Sequence, residues 1–154
     1  MHKPIIAYAG IKDVEFGIDV LIVQPVNLYG CKISDGVKIG PFVEIQSGVT
    51  IGTSTKIQSH TFICELVEIG KDCFIGHSVC FINDTFATGG PAKGNKQLWK
   101  KTLLGSNVSI GSNSTILPVS ICSDVVIGAG SVVTKNITNP GIYAGNPAKF
   151  LRKY

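Results

Sequence analysis

The chain has 154 residues, 44% hydrophobic and 16% charged, with a formal net charge of +4. That length holds one globular domain, and so mild a charge, with no recognition helix or aromatic sheet motif beside it, argues against a nucleic-acid binder. No run of about 20 apolar residues is present to cross a membrane as a helix, and the start lacks the long apolar stretch of a secretory leader, so the expected location is cytoplasmic.

Residues 1–15 contain Pro4 and Gly10 and precede any clear repeat. They are expected to cap the coil that follows, since a bare strand edge invites pairing with another chain. An apolar residue then returns every sixth position, weakly as Phe16, Ile22 and Leu28, and strictly as Ile33, Ile39, Ile45, Ile51, Ile57, Ile63, Ile69, Ile75 and Phe81. One residue is missing between Leu28 and Ile33. A period of six fits neither an amphipathic helix nor an alternating strand. It fits a short strand followed by a tight corner.

Within each unit the fourth residue after the leading one is small or β-branched: Val37, Val43, Val49, Thr55, Thr61, Val67, Cys73, Val79, Thr85. It is expected to point inward with the isoleucine. The third residue after the leading one is Gly36, Gly48, Ser54, Asp72, Ser78 or Asp84, types that accept tight or left-handed turns. Three corners per 18 residues make a triangular solenoid, in which each coil buries its isoleucines by stacking on the next. Each buried aliphatic side chain contributes roughly 1.5–3 kcal/mol.

The corner pattern breaks at Phe42, His60 and Leu66, and breaks in a consistent design mark candidate functional positions. Phe42, His60 and Ser78 recur 18 apart and are expected to stack along one edge; Ser47, Glu65 and Asn83 form a second such column. From Phe81 to Leu104 the spacing is 23, so an extended loop at 86–102 leaves the coil, and long insertions in a regular frame usually carry function. It holds Lys93, Lys96, Lys100, Lys101 and the single tryptophan, Trp99. Those cations suit a phosphorylated small molecule. Trp99 either packs on a neighbouring subunit or meets a substrate ring.

The coil resumes through Leu104, Ile110, Ile116, Ile121, Ile127 and Val133, one residue short before Ile121. In the segment 140–154, Pro147 is placed to open a short terminal helix bearing Lys149, Arg152 and Lys153. The five cysteines, Cys31, Cys64, Cys73, Cys80 and Cys122, stand at ordinary repeat positions without CxxC spacing and read as buried fillers with reduced thiols.

This repeat resembles that of the hexapeptide-repeat acyltransferases, most specifically in the strings GlyAlaGlySerValValThrLys at 128–135 and AlaGlyAsnProAlaLys at 144–149. The resemblance implies an all-β, left-handed parallel β-helix working as a homotrimer with active sites at subunit interfaces. Periodicity alone does not give the hand, because parallel crossovers are usually right-handed. It also implies acetyl-CoA as cosubstrate, no metal, and a cofactor groove lined by Ala129, Thr134, Lys135, Asn146, Pro147, Lys149 and Arg152.

The run Phe81, Ile82, Asn83, Asp84 just ahead of the loop is similar to a string in enzymes that N-acetylate 3-amino sugars on a nucleotide carrier. That likeness implies an N-acetyltransferase acting on a nucleotide-linked amino sugar, such as a dTDP-3-amino-3,6-dideoxyhexose of bacterial surface polysaccharide (O-antigen or S-layer). Attack of an amine on a thioester needs a neutral amine, a donor for the oxyanion and an exit for a proton. Asn83, Glu65 and His60 are the candidate catalytic residues, and Asp84, Phe42 and Trp99 the substrate-binding ones. His60 can equally fill a corner, and His77 reads as structural.

O-acetylation of a sugar hydroxyl is the alternative, weakened because the loop contains no histidine to act as base. A non-catalytic trimeric assembly subunit is a second alternative, opposed by the intact strings at 128–135 and 144–149. A zinc carbonic anhydrase on the same solenoid would need three converging histidines, and the chain has only His2, His60 and His77.

Overall fold

The structure, a computed structural model, describes residues 4–5 and 7–154. His2 lies outside the described residues, as does part of the stretch expected to cap the coil.

The period of six becomes two- and three-residue strands joined by corners, wound into a three-sided parallel solenoid of about 8 turns with the form of a left-handed β-helix. Its faces are sheets of seven, six and eight strands. The seven-stranded face includes Glu44–Ile45, Phe62–Ile63 and Cys80–Phe81; the six-stranded face includes Thr50–Ile51, Val67–Ile69 and Thr102–Leu104; the eight-stranded face includes Lys38–Ile39, Lys56–Ile57 and Phe74–Ile75. Leading residues pair in register, Ile33 with Ile51 and Ile51 with Ile69, so every rung sets isoleucine on isoleucine. The core is this ladder: Ile45, Ile63, Ile75, Phe81, Ile110 and Ile116 are each fully buried.

The second inward position is also buried, and its polar members are satisfied along the coil axis. Thr55 Oγ1 donates to Gly70 O at 2.9 Å, Thr61 Oγ1 to Gly76 O at 2.9 Å and Ser131 Oγ to Gly128 O at 2.6 Å. Among the described residues no buried side-chain polar atom lacks a partner.

The corners are left-handed, and the three that break the composition pattern keep the conformation: Phe42, His60 and Leu66 have φ of +61°, +62° and +70°. For residues with a Cβ this costs roughly 1–2 kcal/mol each. The pattern ends at Phe81: Asp84 does not take a left-handed φ and Thr85 is exposed, so neither is the corner and inward residue that the period predicts.

Three expectations are corrected. Ile11–Lys12 already pairs with Asn27–Tyr29, so the coil begins inside the stretch 1–15 expected as a cap. Thr102 is a buried strand residue paired with Val67, so the loop closes one residue earlier than 86–102. The chain end is not a helix: Gly141–Gly145 and Ala148–Arg152 form an antiparallel hairpin on the eight-stranded sheet. Pro147 stands in its turn, after a cis Asn146–Pro147 bond, a bond type that belongs to tight turns and not to a helix start. Tyr143 and Phe150 hold the strands together edge to face, with ring centroids 5.4 Å apart.

Candidate active site at the loop junction

The two columns expected from sequence form on different edges of the prism. Phe42 and His60 lie between the eight- and seven-stranded faces; Ser47, Glu65 and Asn83 lie between the seven- and six-stranded faces. The Phe42 and His60 rings stack at 4.7 Å with 29° between planes, and Phe42 is 56% exposed. His60 and Glu65 are five residues apart along one face, on the order of 15 Å at about 3.3 Å per residue. Within one chain they do not reach the same amine. His77, read as structural, has Nδ1 2.8 Å from Ser59 Oγ.

Glu65 and Asn83 do meet. Asn83 Nδ2 donates to Glu65 O at 3.2 Å, and Asn83 O accepts the Lys100 N–H at 2.9 Å, so the loop returns to the residue where it leaves. Asp84 ties the loop base: its two carboxylate oxygens accept the N–H groups of Phe86 at 2.9 Å and Ala92 at 2.7 Å. Its carboxylate is therefore committed to the loop backbone. Asn95 caps a single 3-10 turn, Lys96–Leu98, which presents Lys96 and the half-buried Trp99 toward Glu65. Lys96 Nζ lies 2.7 and 2.8 Å from the two Glu65 oxygens and 5.3 Å from the Trp99 ring centroid.

Sequence reasoning missed the polar network that continues along this edge. Gln46 joins two carboxylate-bearing residues: its Oε1 accepts the Glu65 N–H at 3.2 Å and its Nε2 donates to Glu44 Oε1 at 3.2 Å. Tyr29 OH donates to the same Glu44 oxygen at 3.3 Å; burial first, and then the Glu44 charge, raise its pKa above the usual phenol value. Tyr29 and Gln46 each directly follow a leading residue, Leu28 and Ile45, which pair in register. That offset is the sequence signal that would have found them.

The loop cations are also corrected. Lys96 is paired with Glu65 and Lys101 with Glu68, so two of the four lysines read as phosphate ligands are neutralised by carboxylates of the coil.

Two stretches match models of transferase repeats: residues 30–65 the bacterial transferase hexapeptide (six repeats), and residues 102–135 the hexapeptide repeat of succinyl-transferase. The chain is built from the transferase hexapeptide repeat. It is 30% identical over 150 residues to the bifunctional protein GlmU of Streptococcus uberis, an alignment covering 93% of this chain and 32% of that protein. It is 47% identical over 53 residues to a probable macrolide acetyltransferase of Lysinibacillus sphaericus, covering 34% of this chain and 29% of the other. The chain thus spans about a third of the length of these curated relatives. Among solved structures, a variant of AntD, an N-acyltransferase from Bacillus cereus in complex with dTDP and coenzyme A, superposes with a TM-score of 0.80 at 27% identity, covering 90% of this chain and 83% of that one.

The expected cofactor residues fall into two groups on this hexapeptide coil. Ala129 and the turn at Asn146 and Pro147 are brought together, because the Gly145 N–H donates to Ser131 Oγ at 3.1 Å. Lys149 and Arg152 are exposed on the outer hairpin strand beside them. Thr134 and Lys135 are exposed after Val132–Val133, on the other edge. A groove of about 640 Å³ also opens at the hairpin, lined by Asn139, Pro140, Tyr143, Phe150, Lys153 and Tyr154, and none of the expected cofactor residues lines it. Among the described residues no helix is long and apolar enough to span a membrane, and no cluster of three or more His, Cys, Asp or Glu is placed to hold a metal.

Proposed function

We propose that this protein is an acetyl-CoA-dependent N-acetyltransferase whose acceptor is a nucleotide-linked amino sugar, with dTDP-3-amino-3,6-dideoxyhexoses of bacterial surface polysaccharide as the favoured substrates. The observation that carries this reading is the loop junction: a neutral amide, Asn83, held on a carboxylate residue, Glu65, under a loop that contains no histidine. Likeness to an N-acyltransferase that binds dTDP and coenzyme A supports the same class.

In the reaction the amine nitrogen attacks the thioester carbonyl carbon, the carbon–sulfur bond breaks, and the amine proton leaves with the coenzyme A sulfur as thiol. Asn83 supplies an amide donor near the developing oxyanion. An amine flanked by sugar oxygens is less basic than an alkylamine, so a strong general base is not required. Asp84 shapes the pocket through the loop backbone, and the Phe42 and His60 stack offers a flat exposed surface to a nucleobase. Ala129, Asn146, Pro147, Lys149 and Arg152 form the coenzyme A surface, Thr134 and Lys135 serving it from the second edge. His60 and Phe42 reach the Glu65 site from a neighbouring subunit of a homotrimer, and the enzyme works in the cytoplasm.

The test is release of free thiol from acetyl-CoA in the presence of dTDP-3-amino-3,6-dideoxyhexoses. Wild type is expected to turn over and Asn83→Ala to lose about 100-fold or more in kcat. Turnover of hydroxyl acceptors only, with no amine acetylated, would overturn the reading in favour of O-acetylation.

A further inference from the structure

The Glu65 side chain is 21% exposed, and both of its oxygens contact one ammonium, that of Lys96, whose own side chain is 63% exposed. The other charged or titratable groups around this pair are Tyr29 and Glu44 on the neighbouring strands, Cys64 and Cys80 at the same face, Glu68 paired with Lys101 on the six-stranded side, and Asp84, Lys93 and Lys100 in the loop. Among the described residues Lys96 is the cation that contacts Glu65.

Consider an amino sugar arriving where Lys96 has been removed. It meets a carboxylate that is mostly withdrawn from water and unpaired. An opposite charge at contact distance stabilises the ammonium form of the ligand. That form binds well and has no lone pair to give to a thioester, so affinity would come at the expense of reactivity. With Lys96 in place the carboxylate is already neutralised, and a second ammonium beside the first is disfavoured.

We propose that Lys96 determines the charge state in which the acceptor is admitted: its ammonium occupies the Glu65 carboxylate, so that the acceptor amine enters as the neutral nucleophile. Lys96 is a positioning and specificity residue and takes no part in the bond changes. Its place in the loop lets it leave with the loop, so Glu65 is neutralised when the loop is seated against the edge. The inference rests on the N-acetyltransferase reading.

The experiment is the pH dependence of kcat and of KM for the amino-sugar nucleotide, from about pH 6 to about pH 9, in wild type, Lys96→Met, Lys96→Arg and the double variant Glu65→Gln/Lys96→Met. In Lys96→Met the KM at the acidic end is expected to fall by about 3- to 10-fold while the kcat midpoint moves up by about one pH unit. Lys96→Arg is expected to keep the wild-type profile, and removing the carboxylate in the double variant to return the midpoint. A lysine that only props the loop would change the Lys96→Met rates with the midpoint fixed, and that result would overturn the proposal while wild-type turnover leaves the amine reading standing. Wild type inactive on the amine removes the reading and the proposal together.

Discussion

Replacing Gly111 by alanine tests whether the coils are stacked as tightly as the geometry requires. A Cβ at Gly111 would point at the next coil, meeting Ala129 N, the Ala129 Cα at 2.7 Å and the Gly128 carbonyl carbon at 2.8 Å, where ordinary contact begins at 3.4 Å. All three atoms are backbone, so no side chain can swing away. Relief requires the coils to separate by about 0.7 Å, the difference between those two Cα distances. The bond from Gly111 N to Ile127 O, now 2.8 Å, would stretch toward the limit of useful geometry. Overpacking costs about 1–3 kcal/mol and a weakened hydrogen bond about 1 kcal/mol. At about 2–4 °C per kcal/mol for a chain of this size, Tm falls by roughly 5–15 °C.

Gly48→Ala is the control. Gly48 has φ +76° and open space where its Cβ would go, so only the left-handed conformation is penalised, by about 1–2 kcal/mol. Thermal unfolding followed by circular dichroism, with coenzyme A affinity measured alongside, separates the two. Gly111→Ala is expected to be the less stable and, because it displaces Ala129, to bind coenzyme A more weakly. If Gly111→Ala unfolds no earlier than Gly48→Ala, the coils have slack and the packing reasoning fails.

Three further outcomes follow from single groups. Asp84→Ala frees the N–H groups of Phe86 and Ala92, and limited proteolysis is expected to cut within 86–101 at least several-fold faster with Tm nearly unchanged; unchanged cleavage would mean that Asp84 does not secure the loop. Burial pushes the Cys31 thiol up to about 11 and the Cys64 thiol up to about 12, so near neutral pH both should resist alkylation until urea exposes them. Because the folded values are the raised ones, the stability these thiols contribute is complete below the unfolded value of about 8.5 and is lost as pH climbs through the folded ones. Tyr29 is raised by burial and by Glu44; in ultraviolet titration Glu44→Gln should move its midpoint down toward about 10, and an unmoved midpoint would mean that the hydrogen bond to Glu44 does not form in solution.

The coil was legible because a parallel solenoid pairs each rung with its own repeat: Ile33, Ile51, Ile69, Leu104 and Ile121 are neighbours in one sheet, and their spacing is the evidence. Phe42, His60 and Leu66 looked like failures of the corner pattern, yet they break only its composition and not its backbone. The C-terminal hairpin was not legible, because Pro147 suits a helix start and a turn alike, and the deciding contact, Tyr143 on Phe150, depends on a pairing that only the fold creates. Lys96 was misassigned for the same reason. A lysine in a basic stretch reads as a phosphate ligand until the loop is seen to fold back onto Glu65, 31 positions earlier.

How a long insertion can leave so regular a coil without damage is answered at one corner. On this edge Gly30, Gly48 and Leu66 turn with left-handed φ, and the next residue of the column, Asp84, does not. Its carboxylate caps the loop instead. The Leu66 carbonyl is nevertheless satisfied, because the Thr102 N–H donates to it at 3.0 Å, and Thr102–Leu104 then continues the six-stranded face in register with Val67–Ile69. The ladder therefore closes over the gap as though the loop were absent. Coil stability and loop sequence are decoupled at this point, while Glu65 and Asn83 stay fixed to the coil on either side of the exit. An arrangement of that kind allows the loop, with Lys96 and Trp99, to change its acceptor without disturbing the groups that the coil holds against it.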